Sequence, residues 1–208
     1  MKKNVPATIG LFKHYTKRPN TLSKGSLYIA EIPINTQNED KLRKIRVYLP
    51  SNYDFNDTNK RYDVLYMMDG KNCFDDHTSF VGEWHADEWL EEDIIKRNRD
   101  YIIVGIDAPH LDVDRMQEML PYDENSILSK HCPFPLKGYA SLLADFIVNE
   151  LSVIIDNTFH TNTNKRAIMG SSMGGIFSFY AAFRHKHYFS HCLSFSIPFF
   201  LYKTSVVK

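Results

Sequence analysis

No aspartate or glutamate follows Asp156 in this 208-residue chain. Residues 157–208 carry only Lys165, Arg166, Arg184, Lys186, Lys203 and Lys208 as full charges. These six are scattered among aromatics, and the formal net charge of the whole chain is zero. Nothing in that balance favours nucleic acid or an anionic membrane as a partner. Cysteine is also scarce. Cys73, Cys132 and Cys192 are odd in number, far apart and outside any Cys-x-x-Cys or Cys/His ligand pattern. This argues against a disulfide framework and fits a reduced compartment. No run approaches the roughly 18 apolar residues of a membrane span. The opening MKKNVPATIG has basic residues but no apolar stretch of a secretory signal behind them. The expectation is a soluble, cytoplasmic protein with no membrane or nucleic-acid partner.

What is present is enough for a core: 43% of residues are apolar and 13% aromatic. The length fits one α/β domain or a large part of one. Residues 1–24 are polar and read as a lead-in arm; 25–208 read as the domain. The segments 26–34 and 44–50 alternate and are rich in β-branched or aromatic residues, which predicts an antiparallel strand pair. YDVLYMMD (62–69) and YIIVGID (101–107) are nearly continuous apolar runs, as in strands buried on both faces. Between them, 83–98 has helical apolar spacing. Residues 108–136 form a long, proline-marked excursion, a feature that is uncommon unless functional. Tyr139, Leu142, Leu143, Phe146, Ile147, Leu151, Ile154 and Ile155 follow the three-four spacing of an amphipathic helix. A short strand KRAIMG, a helix GGIFSFYAAF and a strand at 190–196 complete the pattern. Such alternation predicts a mostly parallel sheet covered by helices on both faces.

GSSMGG (170–175) lies between the last of those helices and the strand before it. The pattern G-x-S-x-G selects Ser172, with Gly170 and Gly174 flanking it. A nucleophile on a sharp strand-to-helix turn needs small residues two before and two after it. The same turn offers the N–H of Met173 at a helix start, where donors lack intrahelical partners and can hold an oxyanion. A second donor belongs after the earlier central strand. There Gly70 permits a sharp turn, and the N–H of Lys71 is the candidate.

The segments VLYMMDGKNCFDD, IIVGID, RMQEMLPY, GSSMGGIFSFY and FSHCLSFSIPFF, in that order, cover roughly residues 44–200. In this arrangement the chain resembles the esterase branch of the α/β-hydrolases, which includes esterase D-like and enterochelin-esterase-like enzymes. The resemblance implies a three-layer α/β-hydrolase fold and a serine esterase of short-acyl, aryl-acyl or lactone substrates. It implies Ser172 as nucleophile, with Lys71 and Met173 as backbone oxyanion donors and no cofactor or metal. Arg115 and Glu118 match the family's Arg-x-x-Glu-x-x-Pro stretch near the active-site mouth. Substrate contact and an Arg–Glu pair that pins the long loop are the two readings of them.

The rest of a triad is harder to find. In this family the acid and then the histidine follow the serine, and no acid follows Ser172. His185, His187 and His191 fall at or beyond the far end of the helix that Ser172 starts, about 18 Å away at 1.5 Å per residue. Upstream, His110 with Asp107 or Asp112 would make a rearranged triad. His77 and His85 sit among carboxylates without defined metal-ligand spacing. The expectation is a hydrolase lacking its last strands, weak or inactive on its own. The alternative is a non-catalytic ligand- or partner-binding module on a hydrolase scaffold. An apolar sheet edge left unpaired is expected to drive self-association.

Overall fold

The computed structural model describes residues 5–37, 41–123 and 136–198. Cys132, part of the predicted excursion, and the terminal residues 199–208 lie outside the described residues. One eight-stranded sheet runs through the molecule. Its strands are β1 (Thr8–Ile9), β2 (Phe12–His14), β3 (Ser26–Pro33), β4 (Leu42–Leu49), β5 (Tyr62–Met68), β6 (Tyr101–Ile106), β7 (Thr161–Ser171) and β8 (His191–Phe195). They lie in the order 1-2-3-4-6-5-7-8. Strands β6, β5, β7 and β8 are parallel to one another, and β1–β4 join antiparallel on one side. Within the stretch expected as a lead-in arm, β1 and β2 form a hairpin that extends the sheet. Two- and three-residue strands are too short to show a period, so the sequence gives no sign of them.

The helices are α1 (Ala86–Arg97), α2 (Asp112–Met119), α3 (Ala140–Phe146), α4 (Ser152–Thr158) and α5 (Met173–Arg184). A π turn at Ile147–Leu151 joins α3 to α4, so the predicted amphipathic helix runs unbroken through 140–158. The alternation of side chains along the strands sorts the core into two layers. Val64, Tyr66 and Met68 of β5 and Ile102, Val104 and Ile106 of β6 pack with Leu143, Leu151, Ile155 and Phe177. Met67 and Ile103, on the opposite face, pack with Leu90, Ala86 and Phe74 under α1. The result is a helix–sheet–helix sandwich. The α1 face is only partly covered: an apolar hollow of about 340 Å³ is lined there by Met67, Trp89, Met169 and Phe195. Among the described residues no helix is long and apolar enough to cross a membrane.

Two buried ion pairs tie the antiparallel side to the parallel side. Arg46 on β4 donates to both carboxylate oxygens of Asp107, just past β6, at 2.7 and 3.0 Å. Arg43 on β4 donates to both oxygens of Glu118 on α2 at 2.6 and 2.8 Å. The chain leaves β5 for β6 on one side and then crosses to β7 on the other. Ligand crevices form outside the carboxyl ends of strands at such a switch point.

Candidate active site

The two turns at that switch point hold the candidate residues. β7 ends at Ser171 and α5 begins at Met173, so Ser172 alone makes the corner, at φ 56° and ψ −121°. A non-glycine residue is costly there and persists only where its surroundings over-determine it. They do. A Cβ on Gly170 would lie 2.3 Å from the Gly174 carbonyl oxygen, and one on Gly175 would lie 2.7 Å from the Phe195 carbonyl oxygen. Helix α5 therefore sits backbone against backbone on β7 and β8. The Ser172 N–H donates to the Phe195 carbonyl at 2.9 Å, and its own carbonyl accepts from Ile176. Ser172 is exposed, on the wall of a cleft of about 570 Å³.

The opposing turn follows β5. Asp69 is left-handed (φ 57°, ψ 46°) and starts a single 3-10 turn over Gly70–Asn72. Gly70 is required by close packing, since a Cβ would meet the Gly105 carbonyl carbon at 2.6 Å and the Asp107 carboxylate at 2.8 Å. Lys71 lines the cleft with Ser172. Its ammonium rests over the ring of Phe80, 4.7 Å from the centroid, against another residue of the cleft wall. Asn72, buried below, accepts from the Phe80 N–H at 2.9 Å through its side chain. That bond fixes the loop whose Phe80 and Val81 form part of the cleft wall.

Arg115 also lines the cleft, but its partner is not Glu118. It donates to both oxygens of Asp69, at 2.6 and 2.7 Å. This charge-assisted fork, with the Asp69 charge beside it, raises the Arg115 pKa further above its ordinary value. Asp69 in turn packs against the elbow: a Cβ on Gly174 would lie 3.2 Å from its carboxylate. Arg115 thus clamps the first turn against the second. Glu118 is fully buried, held by Arg43 and by the Thr36 hydroxyl at 2.5 Å, and lies outside the cleft lining. Of the two readings, the Arg115–Glu118 pair is not formed, since Arg115 pairs with Asp69 and Glu118 with Arg43, and only Arg115 of the two lines the cleft. Helical neighbours three apart were separated because each met a stronger partner from another element. Asp69 and Asn72 are site residues that sequence reasoning missed; the Asp-Gly dipeptide marked a turn but not what the carboxylate would hold.

The histidines divide in the same way. His185 Nε2 lies 3.0 Å from Asp145, which also accepts from Arg184, so His185 is a surface pair at the far end of α5. His191 Nδ1 meets Ser190 Oγ at 3.0 Å at the start of β8. His110 and Asp112 line the cleft with Ser172, whereas Asp107 is taken by Arg46. Among the described residues the Ser172 hydroxyl makes no hydrogen bond. The cleft thus holds an exposed serine on a strained corner opposite the Asp69 turn, with Lys71, His110, Asp112 and Arg115 along its walls.

Among solved structures, an IroE-like serine hydrolase from Shewanella oneidensis is 22% identical with a TM-score of 0.67, over 86% of this chain and 52% of that one. A BES protein from Bacillus cereus is 20% identical with a TM-score of 0.66, over 89% and 65%. A siderophore hydrolase, EstA, from Aspergillus nidulans is 19% identical with a TM-score of 0.66, over 90% and 63%. These likenesses show the α/β-hydrolase fold. The chain spans between about half and two thirds of the length of the structures it matches. The sequence profile of the family described as "Putative esterase" matches residues 37–201, well over half of the chain, and the chain belongs to that family.

Proposed function

We propose that this chain acts as a serine carboxylic-ester hydrolase on small-molecule esters, with Ser172 as nucleophile. The observation that carries the reading is the Ser172 corner, an exposed hydroxyl at φ 56° between β7 and α5. Its oxygen would add to the ester carbonyl carbon. The carbonyl π pair would move onto oxygen, stabilised by the Lys71 and Met173 N–H groups. Collapse would expel the alcohol, with the serine proton passing to it through a base, and leave an acyl-serine. Water would then add in the same way and release the acid. Arg115 acts here as a positioning residue for the Asp69 turn. The name of the Aspergillus neighbour, a siderophore hydrolase, agrees with a small-molecule substrate.

The absence of a hydrogen-bonded base at the Ser172 hydroxyl among the described residues favours slow turnover. It equally favours the second reading, a non-catalytic binding module. A fluorophosphonate probe separates the two. Labelling at Ser172, with p-nitrophenyl acetate cleavage lost in Ser172→Ala, supports the hydrolase; no labelling supports the binding module. A rate that also falls in His110→Ala would identify His110 as the base. The exposed Leu193 and Phe195 on β8, the edge strand among the described residues, support self-association through that edge. A monomer by light scattering at high concentration would exclude it.

A further inference from the structure

The segment that enters α1 carries chemistry the esterase reading does not use. Glu83, His85 and Glu88 each offer one ligand atom, and these atoms all lie within 4.8 Å of one another. His85 Nδ1 is 3.4 Å from Glu88 Oε1 and 3.8 Å from Glu83 Oε2. Bonds from zinc to nitrogen or carboxylate oxygen run about 2.0–2.2 Å, which places neighbouring ligand atoms of a tetrahedral ion about 3.3–3.6 Å apart. The two imidazole–carboxylate separations are already close to that spacing.

A second observation points to a missing ligand. The Glu83 side chain is only 2% exposed, yet its Oε1 has no hydrogen-bond partner. Glu88 Oε2 is likewise buried without one. Among the described residues no lysine or arginine pairs with Glu83, Asp87 or Glu88. A carboxylate buried without a cation is costly, and buried charges are normally paired or coordinate metals. The Thr21 hydroxyl donates to Glu83 Oε2 at 2.7 Å, a contact suited to hold a ligating carboxylate in place.

We propose that Glu83, His85 and Glu88 bind one divalent transition-metal ion of the zinc type. An imidazole with two carboxylates suits such an ion, whereas magnesium and calcium take oxygen ligands alone. Three protein ligands leave the fourth position to water. The ion would tie the loop before α1 to the first turn of that helix. Trp84, between two of the ligands, lines both the cleft and the apolar hollow, so the tie would stiffen a wall of the site. The sequence gave no such signal, because Glu-x-His-x-x-Glu is not a recognised ligand spacing on its own.

The chain has two tryptophans, Trp84 and Trp89, and both flank the ligands. The test is zinc titration of the full chain after EDTA treatment and dialysis, followed by calorimetry and tryptophan emission. One saturable equivalent with an emission change is expected, with calcium and magnesium silent. His85→Ala and Glu88→Gln, both at exposed side chains, should weaken binding at least tenfold while leaving the circular dichroism spectrum unchanged. Glu83→Gln should do the same where it folds. Absence of a one-equivalent event in the wild type would overturn the proposal. So would unchanged affinity in both His85→Ala and Glu88→Gln, since the metal would then sit on other histidines.

Discussion

Two turns with nearly the same φ face each other across the cleft and are held by opposite means. Asp69, at φ 57°, is fixed by charge: a two-pronged bond from Arg115 locks a carboxylate that is almost fully buried. Ser172, at φ 56°, is fixed by shape, with Gly170 and Gly175 letting backbone press on backbone. The electrostatic turn places Lys71 in the cleft wall, and the steric turn places the Ser172 side chain there. A clamp made of charge answers to removal of its partner. One made of contact answers to volume.

The largest effect is expected from added volume. Gly170→Ala puts a methyl group 2.3 Å from the Gly174 oxygen, and backbone cannot swing aside as a side chain would. A loss of about 3 kcal/mol or more is expected in urea denaturation, with fluorophosphonate labelling abolished. Removing charge comes next. Arg115→Ala strands Asp69 and should cost about 2–4 kcal/mol, and Arg115→Lys should recover only part of it because the fork is lost. If Arg115→Ala melts like the wild type, the charge clamp is not what holds the first turn.

A buried carboxylate without such a clamp sharpens the contrast. Burial, reinforced by neighbouring Glu88, pushes the Asp87 carboxyl up to about 8. In the unfolded chain it titrates near 4. The folded state therefore keeps a proton that the unfolded state releases. This contribution to stability is complete below pH ~4 and is lost as pH rises through about 8. Between pH 7 and 8.5 the wild type should lose about 1 kcal/mol from this group, seen as a falling melting temperature. Asp87→Asn should flatten that profile. The smallest expected effect is a gain. Ser172→Gly relieves the corner and should stabilise by about 0.5–1 kcal/mol. Asp69→Gly, at the same φ, should destabilise because Arg115 loses its acceptor. Equal signs for these two glycine variants would erase the distinction between the turns.

What was legible in the sequence follows from how local each cause is. The Ser172 corner could be read because its requirements lie within six consecutive residues. Helix 140–158 could be read because its apolar stripe runs for four turns. The partner of Arg115 could not, since Asp69 lies 46 positions earlier and only the fold brings it near. Glu118 was misjudged for the same reason, as Arg43 is 75 positions away. Its correct reading needed the β4–α2 contact, which no periodicity announces.

The backbone contact between Gly170 and Gly174 has one more implication. Because main-chain atoms set the gap between helix and strand, the height of the hydroxyl above the sheet depends on the glycines at 170 and 175 and not on the side chains that line the cleft. On the proposed reading, reshaping Phe80, Val81 or Leu111 for a different acid or alcohol would leave the Ser172 oxygen where it is. The same cleft could then take a different shape while its serine stays aimed.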